Sequence, residues 1–453
     1  MQMKYPKLAK NPFLFFLPFL ILYVAIILIL ATPTLQGDEG RYLMYARNLP
    51  NGFYTLPAPY LDLGNGPGYS LIILPLVALK LPLIYIKLLN AIFYYFSIIF
   101  LFKSLQNVVS LNFALIFSII WALYPNTFEE LPYILPEVFA SSLIPVLIFS
   151  LSSAFNKKNT KSSYKYILIG GITFGYLALT KPIFGYVLAF MIVGTILFWF
   201  IYKSKIYLKK SLFVLTIAFI TTLPWLAYTY HMTGKMFYWS SYGGNNLYWM
   251  SSPHENEYGD WMSYPFQSSV SNKYLLPGTW EKIKMQHQKD FEQIFKSKKA
   301  QQLYIKNGEI YGSPYTGVIQ DDTLKKIAYH NILSHPGKFI SNCISNAGRI
   351  IFNYPASYVL QKPSTLKRLP VNGTLIVVSM FCLIITIICW TQIPYSIRFL
   401  LFLGFIYFGG SILGSAEPRM FTIIVPILLF WIAYIIQRTI RINLKFKSET
   451  NTE

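Results

Sequence analysis

Charge is what this sequence has least of. Asp, Glu, Lys and Arg make up 13% of its 453 residues, roughly half the share a soluble domain carries, and that excludes an ordinary soluble enzyme. Acids are the scarcer sign, 18 against 39 Lys and Arg, for a formal charge of +21. Cysteine is nearly absent: Cys343 sits in a polar region, and Cys382 and Cys389 share one apolar segment. No disulfide or zinc framework can be read from three such positions. No Walker A sequence, Rossmann glycine pattern or G-x-S-x-G elbow occurs, which leaves an ATP-driven pump and a serine hydrolase without support. What is abundant is apolar and aromatic: 54% hydrophobic and 18% Phe, Trp and Tyr, with a mean hydropathy of +0.43. That composition describes a polytopic membrane protein.

The spans follow from run length. The first apolar stretch is too long for a signal-peptide core and lacks a small-residue cleavage pattern, so Phe13 to Thr32 reads as a retained span. Further runs of suitable length lie at 83–102, 108–124, 133–154, 166–180, 183–202, 211–230, 371–391, 397–413 and 419–437. These predict an all-α polytopic membrane protein with about 10 to 12 transmembrane helices. Segment 69–81 is shorter and broken by Pro75, and reads either as a short span or as an interfacial helix.

Topology comes from where the basic residues fall, because short Lys- and Arg-rich loops stay in the cytoplasm. Lys157, Lys158, Lys161 and Lys165 occupy one connection, Lys203, Lys205, Lys209 and Lys210 another, and Arg438, Arg441, Lys445 and Lys447 follow the last span. If 69–81 does not cross, all three groups share a side with Lys4, Lys7 and Lys10. The basic excess is then a topology signal, and nucleic acid is not an expected partner. The opposite, outer side receives the loop 33–68, the connection YPNTFEELPY, the connection Ala416 to Arg419, and the long stretch 232–370. The chain divides accordingly into an N-terminal transmembrane bundle (1–231), an extramembrane segment (232–370) with Gly, Pro and Asn punctuation, and C-terminal helices with a cytoplasmic tail (371–453).

Acids gather at outer span ends, where they are costly to place. Asp38 and Glu39 adjoin in Gln36-Gly37-Asp38-Glu39-Gly40-Arg41-Tyr42. A carboxyl beside a like charge and a low-dielectric edge is expected to have a raised pKa, suited to taking a proton from a hydroxyl. Arg41, three residues on, shares a helix side with Asp38 and offers a fork for a phosphate. The plainer reading, in which Asp38 caps and Glu39 opens an interfacial helix 39–49, is compatible with this one. Asp62, before Gly64-Asn65-Gly66-Pro67, is an Asx-turn residue or a second functional carboxylate. Glu137, near Glu129 and Glu130, is a first-turn acid or faces one outer cavity with Asp38. Lys181 and Arg419 either snorkel singly or converge with Arg41 on an anion. His231 and His254, with Glu255, Glu257 and Asp260 nearby, lack metal-ligand spacing. Tyr238, Trp239, Tyr242, Tyr248 and Trp249 suit either an interfacial aromatic belt or sugar stacking.

Several segments taken in order resemble the polytopic glycosyltransferases that use polyprenyl-phosphate sugars, the GT-C class, and especially its family 39 type, which includes bacterial aminoarabinose transferase and the protein O-mannosyltransferases. The resemblance rests on Asp38-Glu39-Gly40-Arg41-Tyr42, Leu135-Pro136-Glu137 and Gly175-Tyr176-Leu177-Ala178-Leu179-Thr180-Lys181-Pro182. It continues through Leu223-Pro224-Trp225 to Gly234, Tyr242-Gly243-Gly244-Asn245-Asn246-Leu247, Ala328 to Phe352 with His335-Pro336, and Glu417-Pro418-Arg419-Met420-Phe421. It implies a catalytic cavity at the outer membrane face, lined by the first outer loop and covered by the large extramembrane segment. By resemblance Asp38 is the general base, Glu39 lies beside it, Arg41 contacts the donor phosphate, and Asp62 is the second carboxylate of the loop. The family often follows that carboxylate with a lysine and prolines, whereas Leu63 stands here, so Lys181 and Arg419 become candidates for the phosphate contact.

The implied reaction is inverting transfer of a sugar from a polyprenyl-phosphate donor to an envelope lipid, glycan or protein, with no nucleotide and with a divalent cation as an optional cofactor. The isoprenoid tail needs apolar grooves among helices and the phosphate needs charges at the boundary. A lipid-linked glycan flippase or transporter is an alternative, but it calls for ionisable residues within spans or helices broken at the midplane. A polysaccharide polymerase or ligase is another.

Overall fold

The computed structural model describes residues 11–57, 60–156, 163–201, 206–262, 275–294, 304–306, 309–312, 317–360 and 363–439. Lys4, Lys7, Lys10, Lys157, Lys158, Lys161, Lys203, Lys205, Arg441, Lys445 and Lys447 therefore lie outside the described residues. The first helix, α1 (Pro12–Leu30), starts where the sequence says it should. Asn11 accepts a hydrogen bond from Phe13 N at 3.1 Å, and Pro12 fills the first helical position. After it come α2 (Glu39–Asn48), α3 (Gly68–Ala78), α4 (Leu83–Gln106), α5 (Leu111–Ala122), α6 (Pro125–Glu130), α7 (Pro136–Ala154), α8 (Ser163–Thr180), α9 (Ile183–Ile201) and α10 (Ile206–Thr233). The outer segment holds α11 (Gly243–Met250), α12 (Thr279–Ile294), the antiparallel pair β1 (Tyr304–Lys306) and β2 (Glu309–Gly312), α13 (Val318–Ser334) and α14 (Pro336–Phe352). The chain returns to the bundle with α15 (Pro363–Ile388), α16 (Tyr395–Ile412) and α17 (Arg419–Thr439).

Among the described residues nine helices are long and apolar enough to cross a membrane: α1, α4, α5 continued by α6, α7, α9, α10, α15, α16 and α17. The protein is a polytopic, multi-pass integral membrane protein. Helix α8, 18 residues long, runs antiparallel to α7 over its whole length: Ser163 Oγ bonds to Ala154 O at 3.0 Å at one end, and Lys181 pairs with Glu137 at the other. It is not among the nine, so the run read at 166–180 is a helix packed along α7, and among the described residues the candidate spans number one fewer than the ten runs. Helix α3 has 11 residues, about 16 Å at 1.5 Å per residue, half the ~30 Å of a bilayer core. It does not cross by length. The span expected at 371–391 begins earlier, at Pro363, with Pro370 inside the helix, so the boundary read at 370 falls within α15.

Packing locates the centre. Helices α7 and α17 are the most enclosed, while α1 and α15 expose most of their surface. Helix α8 meets α10 closely because Gly171 and Gly175 face it: a Cβ on either would lie within 3 Å of Val214 and Ile217 or of Ala218 and Thr221. Contacts also separate the two ends of the bundle. At one end Ser110 N donates to Gln437 Oε1 at 2.7 Å, Lys210 Nζ donates to Ala154 O at 2.7 Å, and Phe155 packs on Tyr395. Lys165, Lys209 and Arg438 fall at this end in sequence. At the other end lie α2, α3, the outer segment and the charged residues singled out above. The outer segment has its own small core of Tyr248, Trp249, Met262, Ile283, Phe291, Ile294, Leu324 and Tyr358. Those aromatics, with Tyr238 and Trp239, are buried, so four of the five outer aromatics form neither a membrane belt nor a sugar platform.

Candidate functional site

The first outer loop is held against the bundle by backbone proximity. A Cβ on Gly66 would sit 2.1 Å from Leu179 O, and one on Gly68 2.5 Å from Thr180 Oγ1. Only glycine lets the loop lie on the end of α8, immediately before Lys181. Tyr176 and Tyr54 donate to the carbonyls of Gly68 and Asn65 at 2.8 and 2.9 Å. The outer segment is tied to the same loop: Leu63 and Ser241 exchange bonds at 3.1 and 3.0 Å, and Ser240 Oγ donates to Gly64 O at 2.6 Å. An isolated bridge joins Asp62 to Gly317.

Asp38 occupies the N-cap position of α2, but its side chain makes no capping bond. It points instead between two guanidiniums, with Arg41 Nη1 3.3 Å from Oδ1 and Arg419 Nη2 3.3 Å from Oδ2, and stays 34% exposed. Arg419 also places Nε 3.3 Å from Glu137 Oε1, and Lys181 Nζ lies 2.6 Å from that same oxygen. Arg41 Nε is 3.7 Å from Asp62 Oδ2, and its guanidinium lies over the Tyr242 ring at 5.3 Å. One contiguous cluster of Asp38, Asp62, Glu137, Arg41, Lys181 and Arg419 results, drawn from α2, the first loop, α7, the α8–α9 junction and α17. The convergent reading of Glu137, Lys181 and Arg419 describes this geometry.

Asp62 is an Asx-turn residue that also faces Arg41. Its Oδ1 accepts from Gly64 N at 2.8 Å, as an Asx turn requires, and from Tyr45 Oη at 2.7 Å. Its fully buried Oδ2 faces Arg41 without a hydrogen bond. Glu137 Oε2 is likewise buried and unbonded.

Two expectations change. Burial does push the Asp38 carboxyl up, but Arg41, then Arg419, with Lys181, outweigh it and hold it below the ordinary carboxylate value. The raised pKa expected from an adjacent acid does not arise, because that acid faces elsewhere. Glu39 is fully buried away from the cluster. Its Oε2 accepts from Gln36 N at 2.6 Å and its Oε1 from Ile134 N at 2.7 Å, with Lys87 Nζ 3.8 Å away. Glu39 thus anchors the loop entering α2 to the loop entering α7. Lys87, buried in α4, also donates to Thr32 O at 2.9 Å.

Sequence reasoning missed Tyr45, Lys87 and the positional role of Tyr242. Tyr242 had a signal, its place at the head of the YGGNN turn. Burial and the nearby acid outweigh Arg41 in setting its phenol, which is pushed up to about 12. Glu129 stands apart, paired to Arg368 of α15, whereas Glu130 lies close enough to Glu137 and Arg419 to interact with both electrostatically. His254 lies against His287 in the outer segment, where His287 Nε2 and Glu257 Oε1 are 2.9 Å apart. Among the described residues no three His, Cys, Asp or Glu side chains converge as a metal-ligand set.

No family model matches the chain, and no curated protein does. Solved structures do. The apo oligosaccharyltransferase of Archaeoglobus fulgidus superimposes with a TM-score of 0.50 at 13% identity, over 92% of this chain and 50% of that one. The archaeal oligosaccharyltransferase AglB from the same organism, in complex with an inhibitory peptide and a dolichol-phosphate, gives 0.49 at 11%, over 94% and 50%. ArnT from Cupriavidus metallidurans bound to undecaprenyl phosphate gives 0.38 at 12%, over 93% and 78%. The chain spans about half the length of the oligosaccharyltransferase. Across that span, its helices carry the charged cluster at one end of a membrane bundle with the GT-C fold.

Proposed function

We propose that the protein is an integral-membrane glycosyltransferase that transfers a sugar from a polyprenyl-phosphate donor to an envelope lipid, glycan or protein at the outer membrane face. One observation carries this reading: three cations, Arg41, Lys181 and Arg419, meet beside a part-exposed carboxylate, Asp38, at the boundary end of a GT-C bundle. The polyprenyl chain lies among the helices while its phosphate reaches the cluster. Positive-inside counting puts this end outside, because Lys165, Lys209, Lys210 and Arg438 all belong to the other.

In the reaction Asp38 accepts the proton of the acceptor hydroxyl, and that oxygen bonds to the anomeric carbon opposite the breaking carbon–oxygen bond, inverting the centre. The leaving group goes from a singly charged diester to a polyprenyl phosphate with one more negative charge. Arg41, Lys181 and Arg419 neutralise that charge as it grows. The free-state pKa of Asp38 is too low for an efficient base, and donor binding corrects it. A phosphate that recruits Arg41 and Arg419 draws countercharge off Asp38 and adds a like charge nearby, raising its proton affinity once donor is bound. Asp62 and Glu137 orient Arg41, Lys181 and Arg419. Glu39 is a positioning residue. A divalent cation finds no ligand set among the described side chains, and no step is routed through one.

The test is release of polyprenyl phosphate from radiolabelled polyprenyl-phosphate sugars in membranes containing wild type or Asp38→Asn, with acceptors from the host envelope. Wild-type transfer and a loss of about 10²–10⁴ in the variant, the range for a general base, is the expected result. Because Asp38 does not cap α2 through its side chain, the variant should accumulate normally. Undiminished transfer by Asp38→Asn would remove it as the base.

A further inference from the structure

Helix α14 is amphipathic the wrong way round for a helix in water. Its buried face is mostly polar: beside Ile350 it carries Asn342, Asn346 and Arg349, which are 0%, 0% and 3% exposed. Each is spent on backbone carbonyls. Asn342 Nδ2 donates to Met250 O and Ser252 O at 3.0 Å, and Asn346 Nδ2 to Ser411, Ile412 and Gly414 O at 3.1, 3.0 and 2.6 Å. Arg349 Nη1 donates to Tyr258 O and Pro355 O at 3.1 and 3.2 Å. The outward face carries Ile340 and Ile344, 60% and 69% exposed, and α13 ahead of it adds Tyr329 and Leu333 at 58% and 82%.

The position of this face identifies what covers it. Helix α14 is bolted to the outer end of α16 through Asn346. Its C-terminus meets the start of α15, where Asn353 Nδ2 bonds to Ser364 Oγ at 2.6 Å and Asn372 Nδ2 to Ile351 O. The exposed apolar surface of α15 opens with Leu366 and Leu369 and runs on through Val377 and Met380, so the Ile340–Ile344 face extends the belt that a bilayer must cover. We propose that α14 lies in the boundary layer of the outer leaflet with Ile340 and Ile344 in lipid, seating the outer segment on the membrane. Seating reaches the charged cluster through Asn346 Oδ1, which accepts from Ala416 N at 3.3 Å, three residues before Arg419.

Spin labels at single cysteines test this in proteoliposomes, in a background lacking Cys343, Cys382 and Cys389. Labels go on Ile340→Cys and Ile344→Cys, with Val377→Cys as the lipid reference and the exposed lobe residue Glu255→Cys as the aqueous one. Power saturation then compares collision with oxygen, which concentrates in lipid, and with a water-soluble nickel chelate. The expected result is an oxygen-to-nickel ratio at 340 and 344 several-fold above that at 255 and approaching that at 377. A ratio at both positions equal to that at 255 overturns the proposal. So does dipolar broadening between labels at 344 on separate molecules, since a second copy of the chain would then cover the face. Neither readout depends on transfer activity, so this result and the assigned chemistry stand or fall separately.

Discussion

Arg419 bridges Asp38 and Glu137, tying Asp38 to the carboxylate that also holds Lys181, so replacing it gives the most informative perturbation. In Arg419→Met, Asp38 loses the 3.3 Å contact at Oδ2 and keeps Arg41, while Glu137 keeps Lys181 at 2.6 Å and loses Nε at 3.3 Å. A hydrogen bond to a charged group contributes about 1.5–3 kcal/mol, and with Asp38 one-third exposed roughly 1–1.5 kcal/mol of that survives screening. The Asp38 pKa should rise toward the ordinary carboxylate value, because one of the cations holding it down is gone. The profile of kcat/KM against pH reports groups of the free enzyme, and its acid limb belongs to the ionised base. Losing a cation raises the pKa, so the limb moves to higher pH. At the plateau, loss of one donor to a developing anion should lower transfer by about 10²–10³. Arg419→Lys restores charge but cannot reach Asp38 and Glu137 together, because an ammonium has no planar fork. It should fall between the two. The assay is initial-rate release of polyprenyl phosphate across pH in detergent-solubilised protein. A Met variant with an unmoved acid limb and wild-type rates would refute both the coupling to Asp38 and the phosphate role.

Glu39→Gln should act on stability, because an amide offers one acceptor oxygen where Gln36 N and Ile134 N need two and leaves Lys87 without a countercharge. A loss of about 1–3 kcal/mol would appear as a lower thermal midpoint, and unchanged melting with lost activity would return Glu39 to the chemistry. Gly66→Ala should destabilise by about 3 kcal/mol, since its Cβ meets a backbone carbonyl, whereas Gly373→Ala, with nothing within 4 Å, should melt like wild type. In the outer segment, burial raises the Glu257 carboxyl but His287, Ser252 and Tyr358 hold it below its ordinary value. Its stabilising contribution is therefore complete above the ordinary carboxylate value and is lost as pH falls through the lower folded one. Fluorescence of Trp249, which packs on His287, should report that acid transition, and Glu257→Gln should flatten it.

Much of the architecture was legible because a bilayer imposes a length on every crossing helix and repels charge from its interior. Runs of apolar residues therefore located the spans, with ends several residues off in α4, α10 and α15, and the helix read at 39–49 appears as Glu39–Asn48. That the basic connections share a side followed from parity once 69–81 was read as not crossing, and Lys165, Lys209 and Arg438 fall at one end of the bundle. Less legible was α15, whose first turns before Pro370 are polar enough to pass for loop. The outer aromatics also escaped a sequence reading, since a ring in a small core and a ring at an interface have the same composition.

Segments that bring carboxylates and cations to one end of the spans were thus determined by sequence, along with Arg41 one turn from Asp38. Tertiary structure alone decided which of them meet. Neighbouring residues on a helix point about 100° apart, so Asp38 and Glu39 had to diverge, and only packing against α4, α7 and α17 settled that Asp38 faces the cations while Glu39 holds two backbone amides. The sign of the Asp38 shift was decided the same way. Its controlling charges include Lys181 and Arg419, 143 and 381 residues distant along the chain, and Coulomb energies depend on separation in space.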